Sequence, residues 1–342
     1  MLRVAFLGRS GHAYMALRSM SETEDAELVA YATIPPEEPP DYFDAWKDQM
    51  GDAKGYDSWQ ELVDQEKPDL VQVSGAYYQN GDVAAYAAER GCHVLVEKPI
   101  ATTLDQLANL KTAVDQSGVR LTAMLGTRLA PPYQAAKNAT DDGAIGEPVL
   151  VYAQKSYKFG TNRPDWYGVR EKYGGSIPWI TIHMIDMINF LLDDPFASVV
   201  AMHKTFTVGG THPECEDVMS MLFELRNGGA AAVNGDYLRP PGAGSHGDDR
   251  IRIVGAEGIV EVMAGRTTLI DKDGDRELPL EETEDNIFLN FVNHLTHGAE
   301  HVIGPNEAFR STEVALKARE SADNGGERVE LLDSPYSDRS RP

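Results

Sequence analysis

The sequence predicts an α/β protein in two parts: a doubly wound parallel sheet at the N-terminus, then an α+β domain with an open, mainly antiparallel sheet. Three observations lead there. Up to about residue 125, short apolar runs alternate with helix-patterned segments, and the runs are apolar throughout, as in a sheet covered on both faces. Past residue 147, long extended runs with hairpin turns take over. The chain of 342 residues is also longer than one ordinary domain. The domains are therefore placed at 1–125 and 126–342, with the C-terminal helix able to pack back on the first.

In order, "RVAFLG" (3–8) reads as a buried strand, with the helical "HAYMALRSM" after it, and "ELVAYAT" (27–33) is the second strand. Pro35, Pro36, Pro39 and Pro40 mark a loop, and "DSWQELVDQ" is a helix capped by Asp57 or Ser58. "DLVQVSG" (69–75) is a third strand, and "NGDVAAYAAERG" is a helix stopped at Gly91. "HVLVEKP" is a strand broken by Pro99, "TLDQLANLKTAVDQSG" a helix and "RLTAML" a fifth strand. In the second part, hairpin turns fall at Asn227-Gly228 and Asp273-Gly274, and helical patterns remain at 177–192, 284–300 and 306–323. The chain closes on the polar "YSDRSRP".

Fifty-four acidic against 31 basic residues give a formal charge of −23. Nucleic acid and anionic membranes need a positive field, so both are excluded as partners, whereas a small anion needs only a local positive site. Cys92 and Cys215 lack metal or redox spacing and suit a reducing compartment. The first residues lack a secretory h-region and no apolar run reaches the length of a membrane span, so a cytoplasmic protein is expected. No metal site is expected either: His297 and His301 stand i,i+4 but lack a third clear ligand.

The strand ending at Gly8 runs into "GRSGHA", which opens a helix. This is where a Rossmann domain cradles pyrophosphate on glycine backbone and free helix N–H groups. Gly8 and Ala13 fit the usual glycine pattern, Ser10 replaces its middle glycine and Gly11 sits one place later. Gly8, Arg9, Ser10, Gly11 and His12 are thus candidates for holding a dinucleotide. The acidic residue that often ends the second strand is absent, and Thr33 stands there. With no carboxylate to repel a 2′-phosphate and Arg9 in the adjacent turn, NAD and NADP both remain open.

At "VEKPIATTLDQL" the tripeptide Glu97-Lys98-Pro99 closes a strand. With the glycine turn, "GAIGEPV", "GGSIPWITIHMIDM", "IRIVGAEGIVEV" and "EAFRSTEVALKARESADNG", the chain resembles the Gfo/Idh/MocA family of NAD(P)-dependent oxidoreductases over nearly its whole length. The resemblance implies hydride transfer to or from a sugar, cyclitol or related polyol, and a homo-oligomer (dimer or tetramer) built on the open sheet. It makes Lys98 the proton shuttle beside the nicotinamide, with Glu97, Ser74, Gly75 and Ala76 also near the cofactor. Family members usually carry Asp-x-x-x-His in the second domain. His183 matches that histidine and would be base or substrate anchor, Asp186 matches the acidic residue after it, and Trp179 stands where the aspartate is expected. At helical spacing Trp179, His183 and Asp186 share one face.

Trp179 removes an orienting carboxylate and offers a flat wall to a sugar ring. Arg128 matches an arginine after the fifth strand. Tyr157, Trp166, Tyr237 and His246 are further substrate candidates, although each singly suits a core or rim equally well. Two alternatives stay open. One is redox-assisted elimination or hydrolysis of a glycoside with tightly held NAD, and the other is a non-catalytic nucleotide- or sugar-binding regulator.

Overall fold

The computed structural model describes residues 1–160, 163–207, 212–283 and 285–337; most of the polar C-terminal stretch lies outside them. The chain divides into two compact units. One comprises Met1–Met124, Glu171–Gly174 and Asp285–Thr312, and the other Leu125–Arg170, Gly175–Glu284 and Glu313–Pro342.

The first unit holds β1 (Leu2–Leu7), β2 (Ala26–Ala32), β3 (Lys54–Tyr56), β4 (Leu70–Val73), β5 (His93–Val96) and β6 (Leu121–Ala123). They form one parallel sheet in the order β3-β2-β1-β4-β5-β6. Helices α1 (Ala13–Ser19), α2 (Lys47–Met50), α3 (Trp59–Glu66), α4 (Tyr77–Glu89) and α5 (Leu104–Ser117) make the crossovers. Every residue of β4 and β6 is buried, which is why these runs show no alternation. Ser58 caps α3 and Thr103 caps α5 by accepting from Glu61 N and Gln106 N, each cap worth about 1 kcal/mol. The weakly patterned β3 and α2 escape sequence reading because neither runs beyond four residues.

The second unit contains α6 (Pro131–Asp141), β7 (Pro148–Tyr157), α8 (Ile182–Leu192), β8 (Phe196–Lys204), β9 (Val218–Leu225), β10 (Ala230–Asp236), β11 (Gly247–Gly255), β12 (Gly258–Met263), β13 (Arg266–Asp271) and β14 (Gly274–Glu277); α7 (Arg170–Tyr173), between β7 and α8 in the chain, belongs to the first unit but for Arg170. After α9 (Ile287–His297) and α10 (Pro305–Asp323), β15 (Val329–Glu330) returns to this sheet. The nine strands run β14-β13-β12-β11-β7-β10-β9-β8-β15, antiparallel except for the β7–β10 pair. Both anticipated hairpin turns are present, between β9 and β10 and between β13 and β14. Helices α6 and α8 pack on one face of the sheet. The other face is open, and a row across it exposes Val200, Leu222 and Tyr152 to 39%, 57% and 50%.

Two expectations are corrected here. The helical pattern at 177–192 is not one α-helix: Ile177–Thr181 is π-helical and α8 starts at Ile182. The wider turn offsets Trp179 from the α-helical spacing that put it on one face with His183 and Asp186. Also, the helical stretch Arg170–Leu192 is long and apolar enough to cross a membrane, contrary to the expectation that no run was. Because 89% of its apolar window is buried inside the protein, its composition reflects a core helix, apolar all round.

Candidate functional site

In the first unit, the cofactor candidates all follow the carboxyl ends of strands. The chain leaves β1 and β4 toward opposite sides of the sheet, and this order opens a crevice beyond their ends. Gly8 and Gly11 adopt φ +75° and +61°. A Cβ on Gly8 would lie 2.5 Å from the Ser74 carbonyl oxygen, and one on Gly11 would lie 2.5 Å from a Glu97 carboxylate oxygen. Only glycine meets both demands at either position. Ser10 N donates to Ser74 O at 2.7 Å, joining the turns after β1 and β4.

Two buried carboxylates brace this turn. Glu97 accepts from His12 N at 2.6 Å, from His12 Nδ1 at 2.9 Å and from Lys98 N at 3.1 Å. Burial works to raise the Glu97 pKa, but the His12 ring and its hydrogen bonds, with the Lys98 charge, outweigh it and hold the pKa low. An ionised carboxylate only accepts, so His12 Nδ1 carries the proton and its Nε2 edge points away from Glu97. Lys98, 1% exposed, follows directly, and its bond to Pro99 is cis.

The second carboxylate is Glu38, which corrects the reading that none lies near the end of β2. Thr33 does stand there, buried, but Glu38 returns to the turn from the proline-rich loop. It accepts from Arg9 N at 2.9 Å, Ser10 Oγ at 3.1 Å and Ile34 N at 3.0 Å. Burial lifts its pKa to about 6 against the pull of these donors. The Arg9 guanidinium lies 4.0 Å from the Tyr42 ring centroid and 5.1 Å from that of Trp46.

Two buried donors in this region find no acceptor among the described residues: Arg9 Nε, and Nδ2 of Asn80, whose Oδ1 accepts from Gly75 N at 2.9 Å. A ligand rich in acceptor oxygens, such as the phosphates and riboses of a dinucleotide, fits that donor set. The turn residues Gly8–His12, with Ser74, Gly75 and Ala76 at the head of α4, would hold it.

In the second unit, three substrate candidates, Trp166, Trp179 and Tyr237, share an aromatic cluster, and two more, Tyr157 and His246, form a pair. Trp179 meets Tyr167 edge-on at 6.2 Å, and Tyr167 packs on Trp166 at 4.4 Å. Tyr237 meets Phe159 at 5.2 Å, and Tyr157 lies 4.9 Å from His246. Arg163, which sequence reading missed, links the Tyr167 and Tyr237 groups: its guanidinium stands 4.8, 4.9 and 4.8 Å from the Phe159, Tyr167 and Tyr237 rings. Lys155 and Asp249, also missed, pair across β7 and β11 at 2.5 Å. An isolated arginine in a loop and a lysine inside a strand carry no signal that spacing could expose.

His183 occupies the first turn of α8 and is 6% exposed. Arg128 and Asp186 are turned to each other: Nε donates to Oδ2 at 2.9 Å and a terminal guanidinium nitrogen to Oδ1 at 2.6 Å, with the side chains 3% and 1% exposed. Among the described residues, no group of His, Cys, Asp and Glu is arranged to hold a metal ion; His297 meets Asp25 at 2.7 Å instead.

Comparison with known proteins bears on the family and the fold. Residues 2–125 match an oxidoreductase family with an NAD-binding Rossmann fold, and residues 133–261 match the Gfo/Idh/MocA C-terminal domain. The 1,5-anhydro-D-fructose reductase of Ensifer adhaerens is 27% identical over 241 residues, 69% of this chain and 72% of that protein. The scyllo-inositol 2-dehydrogenase (NAD(+)) of Bacillus subtilis is 24% identical over 335 residues, 93% of each chain. A solved Thermotoga maritima protein, provisionally described as an oxidoreductase, superposes with a TM-score of 0.90 at 40% identity, covering 96% of this chain and 100% of its own.

Proposed function

Because the chain belongs to the Gfo/Idh/MocA family of oxidoreductases with a nicotinamide-dinucleotide Rossmann domain, we propose that it interconverts a secondary alcohol and a ketone on a sugar, cyclitol or related polyol. The observation that carries this reading is the contact between glycine turn and tripeptide. Glu97 fixes the turn that would hold pyrophosphate, and the next residue is the lysine that would move the proton. When bound, the nicotinamide supplies the hydride donor or acceptor. Lys98 would exchange a proton with the reacting oxygen, and His183 would act as base or substrate anchor. Trp179 and its aromatic neighbours would lie against the carbon frame of the ring. The substrate class is also that of the relatives whose names specify an anhydro-sugar and an inositol.

Of the two cofactors we favour NADP. Glu38 is committed to three protein donors, whereas Arg9 presents a cation held between Tyr42 and Trp46 with a buried donor lacking an acceptor among the described residues. Fluorescence titration of NADPH and NADH, followed by a panel of sugars and cyclitols assayed in both directions, tests both parts of the reading. Arg9→Ala is expected to weaken NADPH by about tenfold or more and to change NADH little, the loss of one charge-assisted contact. Equal losses for the two cofactors would remove Arg9 as the discriminator, and no turnover with any member of the panel would sink the activity.

The open sheet face is the natural place for pairing copies of the chain, and we include a homo-oligomer in the proposal. Leu222→Glu, placing a charge in the row of Val200, Leu222 and Tyr152, is expected to yield monomers in native mass spectrometry. A wild-type monomer, or an unchanged oligomer in the variant, would rule this face out.

A further inference from the structure

Glu38 puts a buried carboxylate where this kind of fold receives the ribose of a dinucleotide. It is 2% exposed, and its donors come from the two segments that meet there: Arg9 N and Ser10 Oγ in the glycine turn, and Ile34 N after β2. In a Rossmann domain the end of the second strand meets the ribose 2′-oxygen, and an arginine nearby accommodates a 2′-phosphate. Arg9 is in place for that. It gives Glu38 its backbone N–H and lays its guanidinium over Tyr42 and Trp46, with Nε buried and lacking an acceptor among the described residues. One residue thus serves an anion of the protein and is open to an anion of the ligand.

Glu38 is not on a loose loop. Gln79 Nε2 donates to Pro35 O at 2.7 Å, Glu37 pairs with Lys172 at 2.6 Å and accepts from the Tyr78 hydroxyl at 3.3 Å, and Phe43 packs on Tyr31 at 4.9 Å. Ile34 is pressed on the turn after β4, where a Cβ on Gly75 would lie 2.8 Å from its Cδ1. A second anion brought to Arg9 would therefore face a carboxylate held in place, and like charges in a poorly solvated site favour neutralising one of them with a proton. Glu38 is suited to take it, since burial has already lifted its pKa to about 6. A neutral carboxyl keeps acceptor capacity for the turn and gains an O–H donor of its own. The neighbouring charges leave this balance intact. Arg9 attracts the carboxylate, Glu97 beyond Gly11 is matched by His12, Glu37 is matched by Lys172, and Asp41 and Asp44 are exposed.

We propose that Glu38 couples cofactor choice to a proton: a 2′-phosphate is held at Arg9 with Glu38 neutral, so NADPH binding takes a proton from solvent that NADH binding does not. The inference rests on the NADP preference given above and adds a titrating group and a direction with pH. Above about pH 6 Glu38 is ionised in the free protein, and it is neutral in the NADPH complex. Protons then bind with the cofactor, and affinity falls as pH rises from 7 to 8.5, by at most about tenfold per unit. A phosphate monoester, with its second pKa near about 6, stays dianionic across that window and adds no opposing slope. NADH carries a hydroxyl at this position, which an ionised Glu38 does not repel.

The test is isothermal titration of the whole chain with NADPH and with NADH at pH 7.5, in PIPES and in Tris, whose different ionisation enthalpies count the protons exchanged. NADPH is expected to take up a large part of one proton more than NADH. Its dissociation constant should rise about three- to tenfold more per pH unit than that of NADH between pH 7 and 8.5. Glu38→Gln, equal in size and unable to ionise, should abolish both differences and tighten NADPH several-fold at pH 8, with circular dichroism checking the fold. The wild-type proton count decides without the variant. NADPH bound with no more proton uptake than NADH, or an excess that persists in a folded Glu38→Gln, overturns this inference and leaves the NADP preference standing. NADH bound and NADPH not removes that preference together with the inference, and neither bound removes the oxidoreductase reading as well.

Discussion

Exchange of Lys98 for methionine is expected to lower kcat by about two to four orders of magnitude, the range of a general acid–base group, while the NADPH dissociation constant stays within a few-fold of wild type. The two readouts separate because of where Lys98 sits. Its backbone N–H donates to Glu97, and its side chain is 1% exposed after β5. Methionine keeps the length and the apolar stem, so β5 and the turn braced by Glu97 have no reason to move. What is lost is a movable proton, together with one of the charges that hold the Glu97 pKa down. The Glu97 carboxylate keeps His12 N and Nδ1 as donors, so the brace persists. Stopped-flow measurement of the hydride step, beside cofactor fluorescence, reads both. Wild-type turnover in the variant would take Lys98 out of the chemistry. A wild-type protein that binds cofactor and sugar but turns over nothing would instead favour a regulator on this fold.

The alternation of β1 to β6 with helices was legible because a doubly covered sheet demands apolar strands, and the hairpins because Asn227-Gly228 and Asp273-Gly274 set turn geometry locally. The tripeptide was legible as a motif, but its partner was not. Glu97 and His12 are 85 positions apart and meet only because β1 and β5 send their chains to the same end of one parallel sheet. Glu38 hid for a related reason. Its place depends on how the loop after Ile34 doubles back, fixed by Phe43 packing on Tyr31 at 4.9 Å and by the donors it finds at Arg9 and Ser10. Periodicity also misled at Trp179, since a π-helical turn keeps the look of a helix while shifting the register of the residues before it. Local chemistry is read from sequence; partnerships made through topology need the fold.

The largest stability effect is expected at Arg128. Its guanidinium grips both oxygens of Asp186, lies 5.1 Å from the Phe190 ring, and neither member of the pair is more than 3% exposed. Arg128→Ala leaves a carboxylate in the core facing a cavity, at a cost of about 3–5 kcal/mol. Urea denaturation should show the transition of the second unit moving to lower denaturant, separately from that of the first if the two melt independently. The double variant Arg128→Met with Asp186→Leu removes both charges and refills the space, and is expected to recover most of the loss, because the desolvation of two ions disappears with their attraction.

That recovery also decides what the pair is for. If Arg128 and Asp186 only hold α8 against the segment after β6, the double variant keeps the substrate KM of the wild type. If either charge reaches the substrate, stability returns and KM does not. The bidentate geometry turns both carboxylate oxygens toward Arg128, so we expect KM to be retained. A rise of tenfold or so in the stable double variant would assign the pair to substrate binding instead.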